Sequence, residues 1–117
     1  MSKQFKILSS DKETIYIVEF VNDENKLMVF CNCPAGIFGK FCKHKMGLLT
    51  GNLENLADPS ELDGYQEVKG WIQQSNLPQM IDQMASSEKE LEKIKAQLNS
   101  FKKKIELALK DGVDLKR

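Results

Sequence analysis

The sequence predicts an α+β protein in which an N-terminal β-hairpin or small antiparallel sheet precedes a long C-terminal amphipathic helix. Residues 14–21 and 27–30 are rich in β-branched and aromatic side chains, which is typical of strands. Residues 91–108 instead repeat apolar side chains at steps of three and four, which is typical of a helix. The 117 residues, 41% hydrophobic and 29% charged, suit one small domain rather than a multidomain enzyme.

The two predicted strands are separated by a polar turn. Residues 22–26 read Asn-Asp-Glu-Asn-Lys, and so short a connection joins antiparallel neighbours. Residues 3–8 can add a third strand, which would end at the turn formed by residues 9–11. The first 30 residues therefore predict a hairpin or a three-stranded antiparallel sheet.

Two short helices are predicted in the middle of the chain. Residues 40–49 shift toward helix-forming types, and Gly51 can take the left-handed conformation that ends a helix. Residues 52–78 are acidic and rich in turns, and a second short helix is predicted between residues 60 and 74. We interpret residues 52–78 as a connector, in which Trp71 has the spacing of a core residue and no assigned function.

The last third of the chain predicts the longest helix. Ser87 and Glu90 have the spacing of a capping box, and Asp111 followed by Gly112 marks the end. The helical pattern can also begin earlier, near Pro78. A helix that begins at the capping box has about 22 residues and a length of about 33 Å.

This predicted helix carries an apolar heptad stripe. Its members follow one another at steps of three and four: Leu91, Ile94, Leu98, Phe101 and Ile105. The same pattern extends backwards to Met84 and forwards to Ala108. Glu90 and Lys95 take the edge positions at which ion pairs form between the helices of parallel dimers. The stripe fits self-association through a coiled coil or helix hairpin, and it equally fits coverage of the domain's own sheet.

Composition excludes several classes of function. No apolar run approaches the roughly 18 residues that a membrane helix needs, and the first residues lack the apolar stretch of a secretory signal. The net charge is zero, so any basic surface must be local; the balances are +1, −4 and +3 for residues 1–57, 58–83 and 84–117. Three cysteines are an odd number for a disulfide framework, so we expect an intracellular protein of the cytoplasm or nucleus.

All three cysteines and the only histidine fall within fourteen residues. They form a Cys-x-Cys pair and, eight residues later, a Cys-x-His pair: Cys31, Cys33, Cys42 and His44. Three thiolates and one imidazole complete a tetrahedral structural zinc site, and Zn²⁺ is the expected cofactor. Cys31 and Cys33 should lie on one face of a strand, and the intervening loop with Gly36 and Gly39 can return the second pair to them.

Three other interpretations of the thiols are open. A disulfide between Cys31 and Cys33 would be strained, because residues two apart on an extended chain lie near the upper limit for bridged α-carbons. A redox or nucleophilic cysteine would need a separate base, and His44 is the only histidine. Inert buried thiols would not explain the clustering. Metal binding is the favoured interpretation.

The same residues resemble a known family. A strand hairpin, Cys-x-Cys, a variable loop, Cys-x-His and a following helix resemble the SWIM zinc finger over residues 14–50. The resemblance implies the four ligands named above, and it implies DNA binding or protein interaction, since family members carry the finger as an appended module of larger chains. The chain would then comprise a SWIM-like finger with its strands (1–51), the acidic connector (52–78) and the amphipathic helix (79–117).

Two functions follow as hypotheses, and neither is enzymatic. Residues 31–50 contain no acid, and Lys40, Lys43 and Lys45 interleave there with Phe38 and Phe41. The first hypothesis is a zinc module within a larger assembly that binds nucleic acid without sequence specificity through these lysines. The second is a protein-interaction adaptor that self-associates or binds a partner through the heptad helix. A membrane or a small-molecule substrate is not expected as a partner.

Overall fold

The computed structural model describes residues 1–116 and has the predicted α+β class. Three strands come first, and four helices follow them. Their bounds are β1 Ser2–Leu8, β2 Ile15–Asp23, β3 Lys26–Cys31, α1 Pro34–Ile37, α2 Lys43–Leu49, α3 Leu62–Gln73 and α4 Leu77–Asp111, with a 3₁₀ turn at Pro59–Glu61. The chain divides into two compact units, Met1–Pro78 and the residues from Gln79 onward.

The three strands form one antiparallel sheet in the order β1-β2-β3. Only two residues, Glu24 and Asn25, connect β2 to β3, and both have positive φ (47° and 66°) as a tight hairpin turn requires. The turn is therefore shorter than the polar stretch 22–26 predicted. The connection between β1 and β2 is organised by Asp11, whose carboxylate accepts the backbone N–H groups of Glu13 and Thr14.

One face of the sheet carries the core. Phe5 on β1 and Phe20 on β2 are fully buried with their rings edge to face, 5.8 Å apart. Tyr65 of α3 packs edge to face on Phe5, and its hydroxyl donates to the Leu48 carbonyl of α2 at 2.6 Å. Burial raises the pKa of Tyr65. The sheet, α2 and α3 thus share a single apolar core.

Residues of the acidic middle stretch pack against the N-terminal sheet. Leu56 bridges Ile7 along the free edge of β1, and the Glu61 carboxylate accepts the Lys6 N–H at 2.9 Å. Three residues at helical spacing on α3 are buried in the core: Tyr65, Val68 and Ile72. Trp71 lies at the edge of this core and is partly buried. The helix predicted between residues 60 and 74 is present and closes the N-terminal unit.

The C-terminal helix is longer than its predicted cap implies. It runs over 35 residues from Leu77, so Ser87 lies inside the helix and the prediction that it caps the helix is wrong; the earlier start near Pro78 is the one observed. At 1.5 Å per residue α4 is about 52 Å long. No residue of α4 is buried. No helix among residues 1–116 combines the length and apolar character needed to cross a membrane.

Candidate metal centre

Cys31 is the last residue of β3 and faces the core. It pairs with Val18 of the central strand and is 5% exposed. Asn32 extends this pairing by one residue, because its N–H donates to the Ile17 carbonyl and its side-chain oxygen accepts the Ile17 N–H at 2.8 Å. The backbone that carries the first thiol is therefore fixed to the sheet.

Cys33 lies beyond the strand, where the chain turns into α1. Its backbone is extended, and its Sγ accepts the N–H of Gly36 at 3.2 Å as the N-cap of α1. The loop expected after Cys33 thus contains a one-turn helix. A Cβ on Gly36 would lie 2.3 Å from the Cys31 carbonyl oxygen, so only glycine lets this turn approach the strand. Gly39 supplies the positive φ, +69°, that ends the turn.

Cys42 and His44 sit at the start of α2. Cys42 is the N-cap, and its Sγ accepts the Lys45 N–H at 3.4 Å. The helix therefore begins at Lys43, three residues later than residues 40–49 predicted, and it ends before Gly51 with φ +85° as expected. His44 directs Nδ1 to within 3.8 Å of Cys31 Sγ, and the Tyr16 ring lies 5.0 Å from its imidazole.

The four predicted ligands come together in space. One ligand atom from each of Cys31, Cys33, Cys42 and His44 lies within 4.8 Å of the others. Neighbouring sulfurs around a tetrahedral Zn²⁺ are about 3.8 Å apart, as follows from a Zn–S bond of about 2.3 Å. The three cysteines are buried and form no disulfide. The cluster has the size and the donor set of a tetrahedral sulfur-and-nitrogen site.

The electrostatics of the cluster favour a bound cation. Burial raises the pKa of the Cys31 thiol to about 12, and its two neighbouring thiols add to the effect. Burial also opposes ionisation of Cys33, but the hydrogen bonds from Gly36 and from the Cys31 and Cys42 thiols outweigh it and lower its pKa. Several thiolates this close repel one another, and a divalent cation reverses that repulsion.

His44 is held in the form that a metal requires. Burial, with the charge of Lys43 beside it, lowers the pKa of the imidazole, which favours the neutral ring. Within residues 1–116, His44 Nε2 is a buried polar atom without a hydrogen-bond partner. Nδ1, not Nε2, is the ring nitrogen that lies near Cys31 Sγ, so Nδ1 is the atom placed to bind an ion.

The basic and aromatic residues predicted to bind nucleic acid flank this cluster. Lys40 and Lys43 are exposed, Lys45 is half-buried, and the Lys43 ammonium donates to the Ser10 hydroxyl at 3.3 Å. Phe38 and Phe41 are 77% and 67% exposed. Phe41 thus does not pack into the core, and both rings are accessible. Phe41 and Lys43 also line an open groove of about 500 Å³ that runs along the cluster.

The heptad residues lie on α4, outside the N-terminal unit. All five are between 51% and 61% exposed: Leu91, Ile94, Leu98, Phe101 and Ile105.

Three residues position the centre through contacts that the sequence does not mark, although Gly36 was already expected to give the loop its freedom to turn. Gly36 permits the close approach of α1 to β3, Asn32 fastens Cys31 to the central strand, and Tyr16 packs against His44. Each acts through contacts between residues distant along the chain, and no local pattern marks such contacts.

Comparison with known proteins gives no match to any protein family, curated protein or solved structure. The cluster is therefore interpreted from its own geometry and chemistry.

We expect Gly36→Ala to destabilise the N-terminal unit by several kcal/mol, because the added methyl group must displace backbone rather than a flexible side chain. Urea unfolding followed by Trp71 fluorescence measures the change. Gly70→Ala is the matched control: it lies within α3 with no atom near the new Cβ, so it should stabilise by about 0.5–1 kcal/mol. Equal effects of the two substitutions would contradict the close approach at Gly36.

Proposed function

We propose that this chain is a zinc-binding module whose Cys₃His centre holds the N-terminal unit together and whose basic, aromatic face binds nucleic acid. The convergence of Cys31, Cys33, Cys42 and His44 within 4.8 Å carries the first part. The donor chemistry selects Zn²⁺, because soft thiolates with one imidazole in a four-ligand set suit this ion. The ligand spacing, which resembles that of the SWIM zinc finger, supports the same assignment.

The proposed zinc is structural rather than catalytic. Four protein ligands leave no coordination position for water or substrate, so no enzymatic role is proposed. The core of the N-terminal unit has eleven buried residues, and three of them are the cluster cysteines. One ion bound to these thiols would therefore link three residues of this core to one another. Metal ligation contributes about 10 kcal/mol or more to the folding of small zinc domains.

Zinc should bind at one ion per chain, and chelation should unfold the N-terminal unit while α4 stays helical. Cys42→Ser should lower zinc affinity by at least about tenfold, since it removes one thiolate of four. Metal analysis of the purified protein gives the stoichiometry. Trp71 fluorescence reports the N-terminal unit, and far-ultraviolet circular dichroism reports α4, which holds 35 of the 117 residues.

Ser10→Ala is the control for this experiment. Ser10 lines the groove beside the cluster but offers no thiolate, so its variant should keep the full zinc content. A Cys42→Ser protein that retains zinc with unchanged affinity would contradict the ligand assignment.

Nucleic-acid binding is supported by the charge and exposure of the finger surface. Residues 31–50 carry three lysines and no acid, and Zn²⁺ with three thiolates adds −1, which leaves a local charge of about +2. Exposed rings at Phe38 and Phe41 offer faces on which bases can stack, next to ammonium groups that can contact phosphates. Phosphate contact and stacking read no base edges, so the proposed binding is non-specific.

Reversing the charge of Lys40, Lys43 and Lys45 to Glu should abolish binding of labelled DNA by the zinc-loaded protein. Fluorescence anisotropy over a salt series tests this: for the unmodified protein, log affinity should fall with log salt at a slope of about −2 to −4, as expected for a few neutralised phosphates. Both duplex and single-stranded DNA are measured, because stacking on the exposed rings favours unpaired bases.

The matched control reverses Lys12, Lys26 and Lys69, which belong to the same unit but lie outside the finger. This variant has the same net charge as the first and should retain most of the affinity. If the two triple variants bind equally, or if the unmodified zinc-loaded protein fails to bind at low salt, the finger is not a nucleic-acid surface.

A second candidate function is self-association through α4. It is favoured by one observation, the five exposed residues of the heptad stripe, because large apolar side chains in a continuous row commonly mark an interface. Sedimentation equilibrium should show a dimer or higher oligomer. Leu98→Asp, in the middle of the stripe, should dissociate it, whereas Lys103→Asp on the polar face should not. A protein that stays monomeric at high concentration would contradict self-association.

A further inference from the structure

The charges that flank the stripe on α4 are segregated along the helix. In the heptad pattern, one position lies at each edge of the apolar stripe, and residues at these two edge positions face a partner helix. Glu88 and Glu90 occupy such edge positions just before Leu91, and Lys95, Lys102 and Lys104 occupy them along the stripe. All five side chains are exposed, and none forms an ion pair within residues 1–116. The edges of α4 are thus acidic just before the stripe and basic along it, with Asp111 as an acidic edge residue beyond its end.

This segregation distinguishes the two possible directions of a paired helix. In a parallel pair, a residue at one edge of the stripe contacts the partner residue at the other edge whose number is higher by five. The only contact of this kind between opposite charges is Glu90 with Lys95 of the second copy. In an antiparallel pair, edge positions of the same type face each other. Glu88 then meets Lys102 of the second copy, and Glu90 meets Lys104. Two-fold symmetry doubles each contact, so the antiparallel pair has four attractive Glu–Lys contacts and the parallel pair has two.

We propose that α4 binds a second copy of this chain as an antiparallel helix pair whose two-fold axis crosses the stripe midway between Ile94 and Leu98. The proposal rests on self-association through the stripe and specifies its partner, direction and register. At the axis Lys95 faces its own equivalent, a single like-charge contact against four attractive ones. Beyond the stripe, Ile81 faces Leu109 of the second copy, which extends the apolar contact at both ends.

The sizes of the apolar side chains fit the same direction. Each layer of the antiparallel pair joins two different residues, so Leu91 packs on Phe101 of the second copy and Leu98 on Ile94. A parallel pair would instead place Phe101 on its own equivalent and Ser87 on another Ser87. Mixed layers pack closer to uniform density than layers of two large or two small residues.

The register is also specified. If one helix of the antiparallel pair slides along the other by seven residues in one direction, only Glu88 of each copy still contacts a lysine, which is Lys95 of the other copy. A shift in the other direction removes all such contacts and places Glu90 against Asp111. Ion pairs at these edges are individually weak, but their sum sets direction and register because the alternatives share a similar apolar stripe.

The decisive variant is Lys102→Glu with Lys104→Glu. In the antiparallel pair it converts all four attractive contacts to repulsive ones, so the dissociation constant of the dimer should rise at least about tenfold. In a parallel pair neither lysine faces a charge of opposite sign, and the constant should stay unchanged. Sedimentation equilibrium of the zinc-loaded full chain measures the constant. An unchanged constant overturns the antiparallel proposal while leaving self-association intact.

The complementary variant, Glu88→Lys with Glu90→Lys, should also dimerise weakly alone. An equal mixture of the two variants restores all four attractive contacts and should recover the affinity of the unmodified protein as a heterodimer. Recovery excludes a mere loss of helix stability as the cause of the weakened dimers. Failure to recover, with both variants fully helical by circular dichroism, overturns the proposal.

Lys89→Glu with Lys103→Glu is the charge-matched control. Both lysines lie on the face opposite the stripe, so the dimer constant should stay within about twofold. A direct readout of direction comes from replacing Phe101 by the photo-crosslinker benzoylphenylalanine. The crosslink should join the partner's peptide that contains Leu91; a crosslink to the partner's own residue 101 region overturns the proposal. A protein that stays monomeric at high concentration would overturn the antiparallel pair together with self-association. The zinc and DNA experiments are judged separately, because they do not depend on dimerisation.

Discussion

The meeting of three cysteines and one histidine at the end of β3 is the constraint on which the N-terminal unit depends. Each ligand comes from a different local setting: a strand end, the caps of two helices and the first turn of α2. Bringing them within 4.8 Å requires the chain to turn back on itself within the fourteen residues from Cys31 to His44. Gly36, which touches the Cys31 backbone where any side chain would collide, makes the first reversal possible.

The core of this unit shows why the cluster matters energetically. Small domains bury a limited fraction of their apolar surface and are marginally stable without a metal or a disulfide. Here the sheet contributes paired aromatic rings at Phe5 and Phe20, and α3 closes one side. Three buried cysteines contribute the rest of this core, and a bound cation would link their sulfurs to one another. A metal ion would therefore complete a core that apolar residues leave unfinished.

Sequence patterns predicted which segments form strands and helices better than they predicted where those segments end or what they contact. Enrichment in β-branched and aromatic residues predicted the strands, and the spacing of Cys31 to His44 predicted which side chains meet. The capping box at Ser87 was wrong because a local motif inside a continuous helix has no competing signal to exclude it. The contacts that α3 makes in the core could not be predicted, since its buried residues lie in an acidic, turn-rich stretch and Tyr65 contacts Phe5, 60 residues away along the chain.

The two proposed interactions reinforce each other through valency. A finger with three lysines would neutralise few phosphates, so under the proposed function a single copy would bind nucleic acid weakly and in a salt-sensitive manner. Pairing through α4 would join two such fingers in one particle, and the second contact would then form at an effective concentration set by that connection. The salt dependence would steepen toward twice the single-copy slope when both fingers engage one strand. An antiparallel pair attaches the fingers at opposite ends of the paired helices, so this gain would appear on long DNA and vanish on fragments too short to reach both.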